Sequence, residues 1–379
     1  MPKPVPVSFV LPCLNEAQSL PAVLKRIQET CQTVLHDRET EILVVDNGST
    51  DHTGEIARQH GTRVIECAQR GYGIALQSGF SAARHEAIVF ADADNSCDFM
   101  ESYKMILELE KGYDMVIGSR LRGNIHPGAM PFLHRYLGTP VLNLLVNTLF
   151  AHKGFHTTDC NSGYRCFRRQ AFLDWHVTSE GMEFASEMLI KALKHNARIS
   201  EVPVSLYPDT RGRKPHLKTW RDGMRHLLQI LVGAPQFFNL TGMVIWALGW
   251  IMLLISLFWG PFPVFGIPIF GLHTMIFATL GTYLGQKIWA IGLYLAAKQE
   301  PEHPAYRRLI AMPEDHLLRL LVLLGIIGLI SISAIIAKSA QHGFTFLALE
   351  HQTLALIAFT GNCFFVLADI FTAHLIKRL

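Results

Sequence analysis

A chain of 379 residues is long enough for two or three domains, and half of its residues are hydrophobic, which is high for a soluble protein. The apolar excess lies from Phe237 onward, so we expect a soluble domain followed by a membrane part. The formal net charge of +3 is too small to indicate a nucleic-acid partner. The seven cysteines form no C-x-x-C pair, so we expect reduced thiols and no zinc site.

Strands and helices alternate through the first 120 residues. Strands are predicted at VPVSFVLPCL, EILVVD, TRVIECA, EAIVFADAD and YDMVIGS, with helices at 15–35, 53–59 and 74–84. This alternation predicts a mostly parallel sheet with helices on both faces. Ligands bind at the carboxyl ends of the strands in such sheets, where the polar clusters NE, DNGSTD and DADNS stand. We therefore expect these clusters to converge on one crevice.

Beyond residue 118 the alternation loosens. Helices are predicted at about 131–150 and 180–195, and a strand at RISEVPVSLYP. Between residues 209 and 225 the chain holds six Lys/Arg against two Asp, with apolar residues at helical spacing. That pattern is typical of an amphipathic helix on an anionic membrane surface. A surface helix packed on its own domain is the alternative interpretation.

Four apolar stretches are near the ~20 residues that a membrane span needs. They lie at about 237–259, 265–286, 317–337 and 353–375. Lys and Arg occur between the second and third spans and near residue 378, so the positive-inside rule predicts a multi-pass protein with its first domain in the cytoplasm. Lys287 is expected to snorkel from the second span, and Asp369 to be paired or to face the bundle.

The predicted organisation has three parts. Residues 1–208 form an α/β domain, 209–236 a basic amphipathic juxtamembrane segment, and 237–379 an all-α bundle of four transmembrane helices.

Three aspartates follow one apolar strand within seven positions, namely Asp92, Asp94 and Asp98. Carboxylates held this close repel unless a cation or a hydrogen-bond donor lies among them. The loop is therefore either a solvated acidic loop or a site for Mg²⁺ or Mn²⁺, which share their shells with substrate phosphates. A glycine-rich turn before a helix, at RGYG, favours a phosphate through close backbone approach and free N–H groups. Asp46 at a strand end can accept hydrogen bonds from a base. Together these features indicate a site for a nucleotide diphosphate.

Several motifs in the same order resemble the family 2 glycosyltransferases: LPCLNEA, VVDNGSTDHT, RGYGIALQSGF, FADADNSCDF, GSR at 118–120, DCNSGYRCFRR and GMEFASEM. The likeness spans roughly residues 5–225 and is strongest to the polyprenyl-phosphate branch, the dolichol-phosphate mannose or glucose synthase-like enzymes. It implies a GT-A (Rossmann-like) fold for the first domain. It also implies a UDP- or GDP-hexose donor, a polyprenyl (undecaprenyl or dolichyl) phosphate acceptor, inversion at the anomeric carbon and a Mg²⁺ or Mn²⁺ cofactor. The resemblance is compatible with both a monomer and a homo-oligomer.

The resemblance also implies roles for individual residues on the donor side. The residues bordering the nucleotide would be Pro12, Asn15 and Glu16 at the base and ribose, Asp46 at the base, and Arg70 and Gly71 along the nucleotide. Asp92 would face the ribose and the metal, with Asp94 as the direct metal ligand. Some members carry a glutamine ligand where this chain has Ser96, so Ser96, Asp98 or water would complete the shell.

On the acceptor side the resemblance implies a set of arginines. Arg120 of GSR would reach the acceptor phosphate with help from Arg135. Ser162 begins the S-G-x-R motif and Arg165 ends it near the phosphates. Apart from the resemblance, the positive charge of Arg211 and Lys214 in the basic segment makes them further candidates for binding the anionic substrates. Bringing two anionic substrates together explains this concentration of arginine better than a general surface charge does.

Glu187 of F-x-x-E-M could act as a general base, although a phosphate acceptor does not require one, being already largely ionised at neutral pH. Transfer to the hydroxyl of a glycolipid is the main alternative and would need that base. A processive polysaccharide synthase would carry Q-x-x-R-W, which is not found before the spans. A non-enzymatic membrane carrier or scaffold is the remaining alternative.

Overall fold

The computed structural model describes residues 4–150, 154–209, 219–259, 262–264, 267–298, 312–341 and 350–378. The chain divides into two compact units, Met1–Gly233 and Ala234–Leu379.

The described part of the first unit contains one seven-stranded sheet. Its strands are β1 (Val7–Cys13), β2 (Thr40–Asp46), β3 (Arg63–Glu66), β4 (Ala87–Phe90), β5 (Met115–Ser119), β6 (Arg165–Arg168) and β7 (Ile199–Pro203), in the spatial order β3-β2-β1-β4-β6-β5-β7. Strands β1 to β4 pair in parallel, and so do β5 and β7. Only β6 runs against its neighbours. The predicted mostly parallel sheet is confirmed.

Helices connect these strands. They are α1 (Leu20–Thr33), α2 (Thr53–Gln59), α3 (Tyr72–Ala82), a 3₁₀ helix (Phe99–Glu101), α4 (Ser102–Glu110), a π-helix (His134–Gly138), α5 (Thr139–Leu149), α6 (Arg169–Trp175), α7 (Phe184–Lys194) and α8 (Thr219–Val232). Helix α8 falls within the predicted amphipathic segment. Strand β6 was not predicted, because four residues with an arginine at each end lack the apolar run that marks a buried strand.

The sheet has a hydrophobic core on each face. All side chains of β4 and β5 are buried, as expected for strands covered on both sides. One face packs against α1 and α4 through residues such as Leu24 and Ile106. The other carries an aromatic cluster from α3, β4, β6, α6 and α7, namely Phe80, Phe90, Phe167, Phe172 and Phe184. Burying a side chain of this size contributes about 1.5–3 kcal/mol, so the two cores hold the strand ends rigidly.

The second unit contains four long helices in the residues that the structure describes: α9 (Pro235–Phe258), α10 (Leu272–Ala297), α11 (Glu314–Gln341) and α12 (Glu350–Arg378). Two short antiparallel strands, β8 (Phe262–Val264) and β9 (Ile267–Ile269), lie between α9 and α10. Three segments of these helices are long and apolar enough to cross a membrane, at Pro235–Phe258, Asp315–Ala334 and Leu354–Ile376. They coincide with the first, third and fourth predicted spans.

The second predicted span, 265–286, is displaced in the structure. Pro263 and Pro268 lie in the β8–β9 hairpin, where a helix is disfavoured, and α10 begins only at Leu272. It is 26 residues long, but it includes Gln286 and Lys287 and is not among the three apolar segments.

Polar contacts between α10 and α12 surround Asp369. Lys287 Nζ lies 2.9 Å from Asp369 Oδ1, Tyr294 Oη donates to the same oxygen at 2.6 Å, and Gln286 Nε2 donates to Oδ2 at 2.6 Å. The prediction that Asp369 is paired is confirmed. Lys287 pairs with this carboxylate while 49% of its own side chain stays exposed, and the nearby positive charge stabilises the buried carboxylate.

Candidate active site

The carboxyl ends of β1, β2 and β4 bring acidic side chains together around the Cys13 thiol. Burial raises the pKa of this thiol well above its usual value, and the negative charges of Glu16, Asp46 and Asp92 raise it further. Charges perturb a pKa in this way only from nearby. Hydrogen bonds show the same proximity: the Asn15 N–H donates to Ser49 Oγ, and Ser19 Oγ donates to the Ala93 carbonyl. The three polar clusters therefore meet at one edge of the sheet.

Asn15 ties the end of β1 to the turn after β2. The predicted helix begins at Asn15, whereas α1 begins at Leu20, and Asn15 has a left-handed backbone with φ 58°. Its N–H donates to Ser49 Oγ at 3.0 Å, and its Oδ1 accepts from the Thr50 N–H at 2.7 Å. The Asp46 carboxylate accepts from the Ser49 N–H at 2.8 Å. These bonds hold the turn in one conformation at the site.

The other predicted base and ribose contacts lie at the same edge. Pro12 is in β1, one residue before its end. Glu16 is buried, and its Oε2 lies 3.1 Å from Ser19 Oγ, which donates to a backbone carbonyl of the loop after β4 at 2.7 Å. Arg70 is exposed, with its Nη2 3.4 Å from the Gly48 carbonyl. The residues predicted to contact the base and ribose therefore lie close together, and among them only Arg70 extends into solvent.

The loop after β4 holds Asp94 in a buried position. Asp94 is 9% exposed, and its Oδ1 accepts from the Ser96 N–H at 3.0 Å. Asn95 has a left-handed backbone, and its buried Oδ1 has no hydrogen-bond partner in the described residues. The Asp98 carboxylate accepts from the Met100 N–H at 3.0 Å and so caps the 3₁₀ helix. Asp98 is thus used in a local cap.

The loop after β4 contains oxygen atoms of the kind that hard divalent cations prefer. Within the described ranges, no group of three or more His, Cys, Asp or Glu side chains could hold a metal ion. Mg²⁺ is usually bound by one or two carboxylates and completes its shell with water and substrate phosphates. Asp92 and Asp94 supply two carboxylates, and the unpartnered Oδ1 of Asn95 is a further hard oxygen in the same loop. The Ser96 hydroxyl, predicted as a ligand, lies 3.9 Å from Cys97 Sγ.

Tyr72 is a site residue that was not predicted. Its hydroxyl donates to Asp92 Oδ1 at 2.9 Å. Burial raises the pKa of Tyr72 well above its usual value, and the negative charge of Asp92 adds to the effect. Tyr72 is therefore a permanent donor that orients Asp92. The sequence signal for Tyr72 was the aromatic residue in RGYG, a turn whose predicted role was based on its glycines alone.

The glycine turn differs from the prediction of free amides facing a phosphate. The Gly71 N–H donates to Asn47 Oδ1 at 2.8 Å, and Asn47 Nδ2 donates to the Gln69 carbonyl at 2.7 Å. The Gly73 N–H donates to the Glu180 carbonyl at 2.9 Å. For these two glycines the prediction is wrong, because the amides already have acceptors within the protein.

Arg120 is held by Asp159. Arg120 Nε and Nη2 donate to the two carboxylate oxygens at 2.7 Å each, and the Arg120 backbone N–H donates to Asp159 Oδ2 at 3.0 Å. Asp159 has no exposed surface, whereas the Arg120 side chain is 21% exposed. Burial lowers the pKa of Arg120, but the negative charge of Asp159 outweighs burial and raises the pKa above its usual value. The guanidinium is therefore fixed and permanently charged.

Arg165 and Ser162 have structural roles, which corrects their predicted position along the phosphates. Arg165 is fully buried, and its three guanidinium nitrogens donate to the carbonyls of Ser162, Ala185 and Cys160 at 2.7–2.9 Å. Burial lowers the pKa of Arg165 to about 10, so it stays charged at neutral pH. Ser162, also without exposed surface, donates to the Gly118 carbonyl at 2.6 Å. Neither side chain is accessible to a substrate.

The remaining predicted basic residues lie on an exposed segment or outside the described residues. Arg135 is exposed in the π-helix, with its guanidinium carbon 5.4 Å from the centre of the Tyr136 ring. Burial lowers the pKa of the neighbouring His134, and the positive charge of Arg120 lowers it further, so this segment lies near Arg120. Arg211 and Lys214 lie outside the described residues.

Glu187 is almost fully buried in the first turn of α7. Its Oε2 accepts from the N–H groups of Thr178 and Ser179, at 3.1 and 2.6 Å, and Lys191 Nζ lies 3.0 Å from Oε1. Burial alone would raise the pKa of Glu187, but the hydrogen bonds from Ser179 and the ion pair with Lys191 outweigh it and lower the pKa. A carboxylate with a lowered pKa is a poor general base at neutral pH.

Helix α8 carries a buried histidine that predicts a pH dependence of stability. His226 Nδ1 lies 2.6 Å from Ser186 Oγ. Burial lowers the pKa of His226 to about 4. The negative charges of Glu183 and Asp222 raise this pKa and the positive charge of Arg165 lowers it, but burial has the largest effect. Unfolded histidine has a pKa of about 6.5. Between these values the unfolded chain binds a proton that the folded chain does not, so stability falls as the pH drops from about 6.5 to 4.

We expect the free energy of unfolding to fall by about 3 kcal/mol between about pH 6.5 and pH 4. This fall is measurable as a decreasing Tm of the purified protein between pH 7 and pH 4.5. His226→Gln keeps a group able to bond Ser186 and should flatten the decline. An equally steep decline in this variant would assign the pH dependence to other groups.

Comparison with known proteins identifies the family of this chain. Residues 8–175 match the model of glycosyl transferase family 2. The low-salt glycan biosynthesis hexosyltransferase Agl6 of Haloferax volcanii is 35% identical over 299 residues, which cover 78% of this chain and 69% of that protein. The chain belongs to glycosyl transferase family 2, and it is a glycosyltransferase with a GT-A catalytic domain.

Two further proteins are similar over part of the chain. A dolichyl-phosphate hexose transferase of Haloferax volcanii is 31% identical over 198 residues, covering 52% of this chain and 81% of that protein. Among solved structures, glucosyl-3-phosphoglycerate synthase from Mycobacterium tuberculosis with Mn²⁺, UDP and glucosyl-3-phosphoglycerate is 19% identical, with a TM-score of 0.48, over 61% of this chain and 80% of that chain. A likeness at this level does not extend to substrates.

Proposed function

We propose that this glycosyltransferase transfers a hexose from a UDP- or GDP-sugar to a polyprenyl phosphate, undecaprenyl or dolichyl, with inversion at the anomeric carbon. The position of Arg120 carries the proposal. Arg120 directly follows β5, and β4 and β5 are both antiparallel to β6, so Arg120 lies at the same sheet edge as the Asp92–Asp94 loop after β4. Asp159 holds its guanidinium there. A clamped guanidinium beside the carboxylate loop can hold an acceptor phosphate next to the donor diphosphate. The names of the two Haloferax relatives support this substrate class.

The proposed reaction needs positioning more than acid–base chemistry. A phosphate monoester has a second pKa near ~6, so the acceptor oxygen is largely ionised at neutral pH. Arg120, with Arg135 nearby, would bind this dianion and aim one oxygen at the anomeric carbon. On the donor side, Asp46 and Asn15 would border the base, and Tyr72 would keep Asp92 oriented.

We propose Mg²⁺ or Mn²⁺ as the cofactor, held by Asp92 and Asp94 with a further oxygen from Asn95 or Ser96. When bound, the ion neutralises the diphosphate and so stabilises the leaving nucleotide. Asp98 is excluded from our proposed set because its carboxylate caps the 3₁₀ helix.

We further propose that the catalytic domain, residues 1–208, works at the cytoplasmic face of a membrane, attached through the segment 209–236 to spans within 237–379. Helix α8 supports this arrangement. It exposes apolar side chains at every fourth position, namely Trp220, Met224, Leu228 and Val232. Asp222, His226 and Ile230 on another face are buried. An apolar stripe exposed on one side suits insertion into the bilayer interface.

A glycolipid hydroxyl is the second candidate acceptor, and the geometry of Glu187 disfavours it. A hydroxyl must lose a proton during the attack, so it needs a general base. The Glu187 carboxylate already accepts from Thr178 and Ser179 and pairs with Lys191.

The function is tested with the full chain in detergent, Mn²⁺ and radiolabelled UDP- and GDP-hexoses. Undecaprenyl or dolichyl phosphate should give a labelled lipid with one donor, and the matched polyprenol without phosphate should give none. Removing the metal with EDTA should abolish transfer, and Mn²⁺ should restore it. Labelling of the polyprenol or of a glycolipid, with none of the polyprenyl phosphate, would overturn the proposed acceptor.

A further inference from the structure

A short segment between α6 and α7, residues 178–180, covers the amino end of α3. The Ser179 carbonyl accepts from Gln77 Nε2 at 3.0 Å, and the Glu180 carbonyl accepts from the Gly73 N–H at 2.9 Å. We call residues 178–180 the covering segment. It occupies the place where the glycine-rich turn was expected to receive a phosphate.

The glycines of the turn are required by this contact. A Cβ on Gly73 would lie 2.1 Å from the Ser179 carbonyl oxygen, and one on Gly71 would lie 2.6 Å from the Glu180 carbonyl oxygen. Both distances are far below any real contact with a backbone atom, so a side chain at either position would push the covering segment away. The lack of a side chain at Gly71 and Gly73 therefore leaves room for the covering segment.

Glu187 holds the covering segment from the other side. Its Oε2 accepts from the N–H groups of Thr178 and Ser179, and its Oε1 accepts from Thr178 Oγ1 at 3.1 Å. Lys191, one turn along α7, pairs with the same carboxylate. Glu187 is 3% exposed. Its two oxygens thus bind four donors of the protein itself, which is the environment of a structural anchor.

We propose that Glu187 is a positioning residue for the donor site, acting through the covering segment on the glycine turn. Gly71 bonds Asn47 at the end of β2, and Tyr72 bonds Asp92 in the loop after β4. Fixing residues 71–73 against the covering segment therefore fixes two contacts within the proposed donor site. The proposal rests on the proposed use of this site for a nucleotide diphosphate, and it is independent of the acceptor.

Binding of UDP and GDP to the full chain in detergent with Mn²⁺, measured by calorimetry without acceptor, tests the proposal. Glu187→Ala and Gly73→Ala break the same contact from opposite sides and should weaken nucleotide binding alike. Misplacing a group by about 1 Å can cost about 10²-fold. Glu187→Gln keeps an oxygen for the Thr178 and Ser179 amides and should lose less than about tenfold, since a neutral acceptor is weaker than a charged one.

Matched controls separate the contact from a general loss of folding. Glu29→Gln alters an exposed glutamate side chain of α1, outside the covering segment. Gly223→Ala adds a Cβ with nothing within 4 Å in α8. Both should bind nucleotide as the parent does. Because Glu187→Ala and Gly73→Ala lie on different elements, a shared loss beside a nearly intact Glu187→Gln supports the positioning role.

A general base predicts another pattern, and this pattern would overturn the proposal. Glu187→Gln and Glu187→Ala would both bind nucleotide normally, Glu187→Gln would lose about 10²–10⁴-fold in transfer rate, and the pH–rate profile would lose its acidic limb. Normal binding by Gly73→Ala would also overturn it. If the parent binds nucleotide but labels no polyprenyl phosphate, the acceptor proposal fails while the positioning proposal stands.

Discussion

Asp94→Asn should lower the rate of sugar transfer by about 10²–10³-fold, because it removes one charge from a preorganised site while keeping its shape. The substituted amide can still accept from the Ser96 N–H, so the loop after β4 should keep its conformation. What is lost is a carboxylate able to hold a divalent cation against the donor diphosphate. The variant should need more Mn²⁺ for half-maximal activity, and initial rates over a range of Mn²⁺ concentrations measure this shift.

Asp98→Asn is the matched control for this prediction. Asparagine is about as good a helix N-cap as aspartate, so the bond to the Met100 N–H should survive. We expect activity and metal requirement close to those of the parent. Full activity of Asp94→Asn with an unchanged Mn²⁺ dependence would contradict the assignment of Asp94 as a metal ligand. A loss in Asp98→Asn as large as that in Asp94→Asn would move Asp98 into the metal site.

Asp159→Ala should destabilise the first unit by about 3–5 kcal/mol, the usual cost of removing one partner of a buried ion pair. Three donors of Arg120 would lose their acceptor at once, and the guanidinium would be left largely enclosed without its counter-charge. The Tm of the purified chain, followed by circular dichroism, measures the effect. Transfer activity should fall as well, because the guanidinium is no longer fixed.

Glu66→Ala is the comparison for Asp159→Ala. It also removes one carboxylate from an arginine, but the Arg58–Glu66 pair is exposed, with side chains 51% and 76% accessible. Pairs of this kind contribute about 0–1 kcal/mol, so the Tm should hardly change. Equal effects of the two substitutions would show that Asp159 is not the buried anchor of Arg120.

The parts of the fold that follow from local pattern were predictable. Each of β1 to β5 has an apolar run of its own, and polar turn residues such as Asp46 and Asp92 mark where β2 and β4 end. Once parallel order is inferred, the meeting of those ends follows from sheet geometry. The apolar helices α9, α11 and α12 are equally local, since length and composition suffice to identify them. By contrast, β6 was missed because its four residues lack an apolar run, and the late start of α10 was missed because the helix-breaking effect of Pro263 and Pro268 was not considered.

The sequence by itself determined the family, the α/β alternation, the acidic loop after β4 and the apolar helices of the second unit, because these depend on residue type and spacing along the chain. Only the tertiary structure decided which charged side chains are enclosed by the protein and which keep an exposed surface. Arg120 and Arg165 both lie in recognisable motifs. The Arg165 guanidinium donates to three backbone carbonyls, whereas Arg120 pairs with Asp159, 39 positions away in the sequence. Likewise, Gly71 and Gly73 admit a segment more than 100 residues distant. A side chain's type tells what it can bind, but its partner is set by packing between distant parts of the chain.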